Sequence, residues 1–506
     1  MRPPARASNN RHRSGALSAV EAFSKTFKPT EERPARGMSN YSDDPELEQE
    51  LVNAEEQVLD HSLTEGSLWR AIWMMSWPLM LTTISSSISN MVDIQVAGHL
   101  GSAAQAAVGL SEQVLFLFLV FILSIGVGTT AIVSRAYGSG NLEDSIHACS
   151  QSLALAVIMG LTLSGAAVIM AQFALPIFSP TPGVMEQGKL FLSVIGLISI
   201  PFSIVSIINA AFRAIGDAKT PLTIVMTMTA IGVLGDYLTV LANWPVAGLG
   251  IRGIAFSSLT ASTVGAILAI WRLSLSPLGP SLKRFFPLSF ATIYRLVHIG
   301  LPSAFQRVSW IGGTFVLFFI LSRCAHPTQA LASWSIGMRI EAFLFMPLMA
   351  LSLAVSSIVG QNLGAKQLRR AYKAGWRVTG LGIVLMLVLG TLLFIFAKPL
   401  AQFMSHDPKT VEYAISYLQI NAIAEPFLAL GIVLSGALQG AGDTKTPMWI
   451  SIFCAWCIRL PLAWIFGLML GLGPTGAWLA MAVSILFSGM LNTWRYQSLA
   501  WIKTRV

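Results

Sequence analysis

The sequence predicts an all-α integral membrane protein, twelve transmembrane helices arranged as two homologous six-helix bundles. Three observations predict it. The 506 residues are 54% hydrophobic and only 11% charged, with a mean hydropathy of +0.65, and apolar surface on that scale needs lipid to cover it. Apolar runs of roughly 20 residues or more, long enough to cross a hydrocarbon core of about 30 Å as helices, recur along the chain. Finally, Arg213-Ala-Ile-Gly-Asp-Ala-Lys-Thr-Pro221 is nearly repeated by Gln439-Gly-Ala-Gly-Asp-Thr-Lys-Thr-Pro447, about 226 positions later, and the same offset relates Tyr137-Gly138 to Leu363-Gly364. Two membrane bundles in series, related by duplication, are an arrangement that transporters use to build one central site between the repeats.

The elements follow in order. Residues 1–66 combine an Arg, Pro and Ser rich opening with an acidic run through Asp43, Asp44, Glu46, Glu48, Glu50, Glu55 and Glu56, and contain no long apolar run. They are read as a disordered or partly helical cytoplasmic extension. It has no signal-peptide core, so the first membrane helix does the targeting, and Met38 is an alternative start. The first bundle, 67–276, holds apolar runs near 71–97, 107–133, 147–175, 188–212, 221–243 and 250–274. A Pro-rich linker, 277–290, precedes the second bundle, 291–502, with runs near 291–322, 330–358, 375–402, 411–438, 447–470 and 474–500; residues 503–506 form a short tail.

The formal charge of +9 raises nucleic acid as a partner, and the placement of the cations argues against it. They gather in alternate connections: Arg135; Arg213 with Lys219; Arg272 to Arg295; Lys366 to Lys373; Lys445; and Lys503 with Arg505. By the positive-inside rule these loops, the linker and both termini are cytoplasmic, with the 177–186 loop outside. The expected setting is a bacterial inner membrane. The four cysteines add little: Cys454 and Cys457 form a C-x-x-C inside an apolar helix, without the context of a redox or metal site, and are read as packing residues, while Cys149 and Cys324 are lone thiols.

An acid near a bilayer centre costs about 2.5–3.5 kcal/mol on insertion scales, so it normally faces a partner, water or an ion. Asp93 is the first candidate, because Thr82, Ser86, Ser89, Asn90 and Asp93 recur at steps of three and four and share one helical face. That stripe suits a water-lined cavity; helix-to-helix glue is the other reading of the hydroxyls, and a plain solvated acid the other reading of Asp93. Asp236, in Gly232-Val-Leu-Gly-Asp-Tyr-Leu238, has no basic residue within a helical turn. Two unpaired acids brought together suit either a proton site or a Na⁺ site. The duplication sets Leu317 opposite Asp93 and Leu462 opposite Asp236, so the pair belongs to the first half alone. The second half carries Arg339, Glu341, Glu425 and Arg459. Glu425 is read either as a substrate or proton site or as an ion-pair partner of Arg459 or Arg339. Asp217 and Asp443 of the repeated motif are read as turn and helix-capping residues.

Pro78 with the Ser/Thr-rich helix and Val92-Asp-Ile-Gln-Val-Ala-Gly-His-Leu-Gly101, together with Gly-Asp-(Ala/Thr)-Lys-Thr-Pro once per half, resembles the multidrug and toxic compound extrusion (MATE) transporters over roughly 68–500. The resemblance implies two bundles forming a V around a central cavity. It also implies a secondary antiporter that exports small amphipathic, often cationic compounds in exchange for H⁺ or Na⁺. In the DinF-like and archaeal members, acids on the first and fifth helices form a cation site, and Asp93 and Asp236 match those positions. Ser258 is a further candidate oxygen there, and Na⁺ is a candidate ion for the two acids. Gly232 stands where an Asn often precedes the fifth-helix acid, a departure from that pattern. Trp310 stands where NorM-like members carry a Glu, which sets the chain closer to the DinF-like type. Ser86, Asn90, Gln306 and Glu425 are the candidates for the substrate cavity or a secondary site. No cofactor, resident metal, enzyme activity or nucleic-acid partner is expected, and the chain is expected to work as a monomer in lipid. A flippase for lipid-linked saccharides is the alternative; an intramembrane enzyme lacks its Asp-rich or His/Glu metal motif here.

Overall fold

The computed structural model describes residues 61–173, 182–242 and 249–504; most of the predicted extension and the first half of the 177–186 loop lie outside them, and the second half of that loop is helical. These residues belong to one compact unit, Glu55–Val506. Every regular element among them is helical, and twelve helical spans appear in the predicted order. In the first half they are α1 (Leu68–His99), α2 (Ser102–Gly138), α3 (Leu142–Phe173), α4 (Pro182–Ile195, a 3-10 turn Gly196–Ile198, then Ser199–Ala214), α5 (Lys219–Asp236, continued by a π-helical turn Tyr237–Leu241) and α6 (Ile251–Ser274). In the second half they are α7 (Phe290–Leu321), α8 (Pro327–Gly364), α9 (Leu368–Met404), α10 (Pro408–Gly440), α11 (Lys445–Ile452, extended through π turns to Met469) and α12 (Pro474–Gln497). Eleven of the described helices are long and apolar enough to cross a membrane. The remaining span, α1, is 32 residues long and is made polar by its Ser, Thr, Asn and Asp stripe.

The ends of the described chain lie on one face of the bundle, here called the terminal face. There Arg135 Nη1 donates to the Thr504 carbonyl at 2.7 Å, and Arg370 donates to the carbonyls of Gly66 at 2.8 Å and Glu65 at 2.9 Å. Residues 61–66, assigned from sequence to a disordered extension, are ordered: His61–Leu63 is a 3-10 turn. Leu63 is fully buried, its side chain lies against Gly216 of the first half, and its carbonyl accepts from Asn362 of the second at 3.2 Å. A six-residue segment with one apolar side chain has no helical period to read, so its order comes from tertiary contact alone.

The packing boundary between the halves is not the sequence boundary. The first turns of α1 (Leu68, Ala71, Ile72, Met75, Leu79) join the core of the second half beside Leu351 and Val355. Reciprocally, Leu296 and Ile299 of α7 join the core of the first half beside Ile132 and Ala211. Pro78 and Pro302 lie inside these two crossing helices. Proline removes one backbone hydrogen bond and favours a bend where a helix passes from one bundle to the other.

Each copy of the repeated motif makes the same turn. Gly216 and Gly442 adopt φ of +95° and +89°, a region open to glycine at little cost. The next residue, an Asp, accepts from the first turn of the following helix: Asp217 Oδ1 from the amides of Lys219 at 2.9 Å and Thr220 at 3.0 Å, and Asp443 Oδ1 from the amide of Thr446 at 3.3 Å and its hydroxyl at 2.8 Å. Pro221 and Pro447 sit in that first turn, where no intrahelical donor is lost. One copy carries more. Asp443 Oδ2 also takes a two-pronged bond from Arg495 of α12, at 2.8 and 2.6 Å, whereas no arginine pairs with Asp217 among the described residues. Asp217→Ala is therefore expected to cost about 1 kcal/mol, the loss of a cap, and Asp443→Ala about 3 kcal/mol, because it also strands a partly buried guanidinium. Thermal unfolding of the two variants in one detergent checks the order.

Candidate functional site

Between the halves lies a cavity of about 1490 Å³ lined by residues from both. The α1 stripe forms part of its wall: Thr82, Ser86, Ser89, Asn90 and Asp93 all line it. The hydroxyls also bond down their own helix, Thr82 to the Pro78 carbonyl at 2.8 Å and Ser86 to the Thr82 carbonyl at 3.1 Å. Such bonds let a hydroxyl face a cavity in lipid without an unmet donor, while its lone pairs stay free for water or ligand.

Helix α5 packs against α1 so closely that Ser89 Oγ would stand 3.5 Å from a Cβ on Gly232, and Thr229 Oγ1 donates to the Ser85 carbonyl at 3.2 Å. The glycine that departs from the family pattern is thus the place where the two helices approach. One turn farther on, the carboxyls of Asp93 and Asp236 come within hydrogen-bonding reach of each other. Asp93 is 9% exposed and Asp236 is 0% exposed, so Asp93 faces the cavity with Asp236 behind it. Asp93 Oδ1 and both oxygens of Asp236 are buried with no hydrogen-bond donor among the described residues. Two bare carboxylates cannot share a dry pocket; the arrangement calls for a shared proton or a bound cation. The third helix of the site is α6, and the hydroxyl it places at Asp236 is that of Ser257, which bonds to the Gly253 carbonyl at 2.9 Å and lies 3.3 Å from Thr239 Oγ1. Ser258, the sequence candidate, lines the cavity instead. One residue is 100° of helix rotation, enough to exchange the two roles. No group of three or more His, Cys, Asp or Glu side chains able to hold a metal occurs among the described residues, so a Na⁺ here would draw on hydroxyl or backbone oxygens beside the acid pair.

The other sequence candidates fall elsewhere. Gln306 turns away from the cavity, donating to Ser451 Oγ of α11 at 2.7 Å and accepting from Gln439 Nε2 at 3.3 Å; its neighbour Arg307 lines the cavity. Glu425 is buried inside the second half at 1% exposure, outside the cavity lining. It makes no ion pair with Arg459 or Arg339 among the described residues. Instead, Glu341 accepts from the Tyr417 hydroxyl, and Arg459 Nε donates to Ser484 Oγ at 2.9 Å. Glu425→Gln should therefore leave gradient-driven transport within about threefold of wild type, since the group has no path through the lining; transport by the variant in liposomes checks it.

Two features of the lining were not singled out from the sequence. Glu112, with Gln113, lines the cavity near Asp93. It is the single charge in the run 107–133, which is the signal that could have found it. Arg213, read as a loop cation, ends α4 with its side chain in the cavity lining. A positive-inside count cannot tell a loop cation from one turned inward at a helix end.

The MatE family model matches the chain twice, over residues 78–238 and 302–465, once per half. The chain belongs to the MatE family. The two matches begin at the crossing prolines and cover α1–α5 and α7–α11. Among curated MatE-like relatives, the chain is similar to the probable multidrug resistance protein NorM of Thermotoga maritima, 27% identical over 436 residues, covering 85% of this chain and 93% of that protein. It is also similar to the uncharacterized transporter YisQ of Bacillus subtilis, 25% identical over 435 residues, with 86% and 95% covered. The fold matches that of a MOP superfamily transporter from Pyrococcus furiosus at TM-score 0.81 and 20% identity, covering 88% of this chain and 98% of that one. It matches equally an outward-facing multidrug resistance MATE family transporter, at TM-score 0.81 and 20% identity, with 88% and 98% covered. The chain is a multi-pass membrane protein of this fold.

Proposed function

We propose that the protein is a secondary antiporter that exports small amphipathic compounds in exchange for H⁺ or Na⁺, with Asp93 and Asp236 as the coupling site. The observation that carries the reading is the acid pair without donors set into the wall of a cavity that both halves line. Loading the pair with a proton or Na⁺ changes the charge of the α1–α5 contact, and a two-state bundle is biased by such a change. The names of the relatives agree with drug extrusion. The N-half location of the pair favours the DinF-like pattern over the NorM-like one.

The terminal face is read as cytoplasmic, in a bacterial inner membrane, because the Lys/Arg-rich connections lie there. The cavity and the acid pair are assembled within one chain, which suits a monomer. At the terminal face the halves are joined: Gln361 of α8 donates to the Ala214 carbonyl of α4 at 2.7 Å, beside the Leu63 bridge. The described conformation is then the one closed toward the cytoplasm.

Expression in a pump-deleted bacterium tests the function. Raised tolerance to several unrelated dyes or drugs is expected. Unchanged tolerance with altered turnover of lipid-linked saccharides would replace drug export by the flippase reading.

A further inference from the structure

The cavity lining carries five charges, Asp93, Glu112, Arg213, Arg307 and Arg339. Asp93, Glu112 and Arg339 lie toward the face opposite the termini, six, ten and twelve residues from the adjoining ends of α1, α2 and α8. Arg213 and Gln439 lie at the other end: each is the third residue before the motif glycine of its half, so they occupy equivalent places in the two repeats, at the terminal-face ends of α4 and α10. Arg307 is at this base too, because its neighbour Gln306 is bonded to Gln439. Arg213, Arg307 and Gln439 all line the cavity. No hydrogen bond or ion pair engages either guanidinium among the described residues, and Arg213 Nε is fully buried without an acceptor.

Arginine is always charged and presents a planar fork of donors; Arg213 and Arg307, half-buried and unpaired at the closed end of a cavity, mark a place where a partner arrives. The fork matches the two oxygens of a carboxylate or phosphate, while the amide of Gln439 beside it is taken up by Gln306 and Ser435. The apolar remainder of the lining, with Phe202, Trp310 and Phe315, suits the hydrocarbon or aromatic part of the same molecule.

We propose that the base of the cavity is an oxyanion subsite, in which Arg213 and Arg307 bind the carboxylate or phosphate group of an amphiphilic substrate. This names the substrate class for the antiporter proposed above, in place of the cationic class implied by family resemblance, and it rests on reading the cavity as the substrate path. The acids sit apart from Arg213 and Arg307, so an anionic group at the base avoids them while the proton or Na⁺ loads at Asp93 and Asp236.

The test is equilibrium binding to the purified full chain in detergent, with no gradient. The probes are a dansylated fatty carboxylate and its methyl ester, with a fluorescent phosphatidate as the lipid arm. Wild type is expected to bind the carboxylate at least about tenfold more tightly than the ester. Arg213→Gln, which installs the residue of the other repeat, and Arg307→Gln should each remove most of that preference while leaving ester binding unchanged, and Arg213→Lys should restore part of it. Phosphatidate binding with the same arginine dependence would identify a lipid headgroup as the source, and carboxylate binding alone a free amphiphilic acid; both support the subsite. Equal binding of acid and ester by wild type, or a preference that survives both Gln substitutions, overturns it. Asp236→Asn should keep the acid-over-ester preference. Loss of driven transport with that preference intact thus bears on coupling alone, and an absent preference in a protein that still exports bears on the subsite alone.

Discussion

Asp93→Asn and Asp236→Asn are each expected to insert in the membrane, bind substrate and lower gradient-driven efflux by at least about a hundredfold. An amide is neutral at every pH and cannot take up a proton or balance Na⁺, so the pair loses the charge change that couples ion to substrate. The double variant should be little worse than either single one, because the two carboxyls form one unit and such residues are not additive. Asp236 makes the sharper case. It is buried behind Asp93 and outside the cavity lining, so its effect cannot come from a lost substrate contact. The measurement is efflux from liposomes of matched protein content.

Glycines at the terminal face carry the second large effect. A Cβ on Gly138 would run into the carbonyl of Gln361, and one on Gly364 into that of Arg135. The backbones of α2 and α8 thus touch where the halves close, as small residues allow in membranes. Gly138→Val and Gly364→Val should hold that contact apart, because the obstructing atoms are backbone and cannot rotate away. Efflux is expected to fall at least about tenfold with binding retained, and a cysteine at Thr130 in the cavity lining should label faster from the terminal side. Labelling and efflux at wild-type rates would show that this contact does not gate the cavity.

Much of this was legible in the sequence. Hydropathy and the repeated Gly-Asp-x-Lys-Thr-Pro give twelve spans and two halves because lipid leaves helices as the only spanning option for such runs. The stripe from Thr82 to Asp93 was legible because 3.6-residue periodicity fixes which residues share a face. Sequence alone does not show which face meets which helix. Ser257 and Ser258 exchange roles through one residue of rotation, and Gln306 and Arg307 do the same. The ordering of residues 61–66 and the crossing of α1 and α7 into opposite cores are tertiary effects without a local period. Glu112 and Arg213 carried a signal, an isolated charge in or beside an apolar run, but its meaning depends on a cavity that exists only once both halves are assembled.

The central claim is that the acid pair couples an ion to export. Its most direct test is efflux of a fluorescent amphiphile from liposomes driven by a pure proton gradient and, separately, by a pure Na⁺ gradient, with wild type and Asp236→Asn side by side. At least one gradient should drive wild type, and neither should drive the variant. A membrane-inserted Asp236→Asn protein that exports at the wild-type rate, with the wild-type pH dependence, would contradict it.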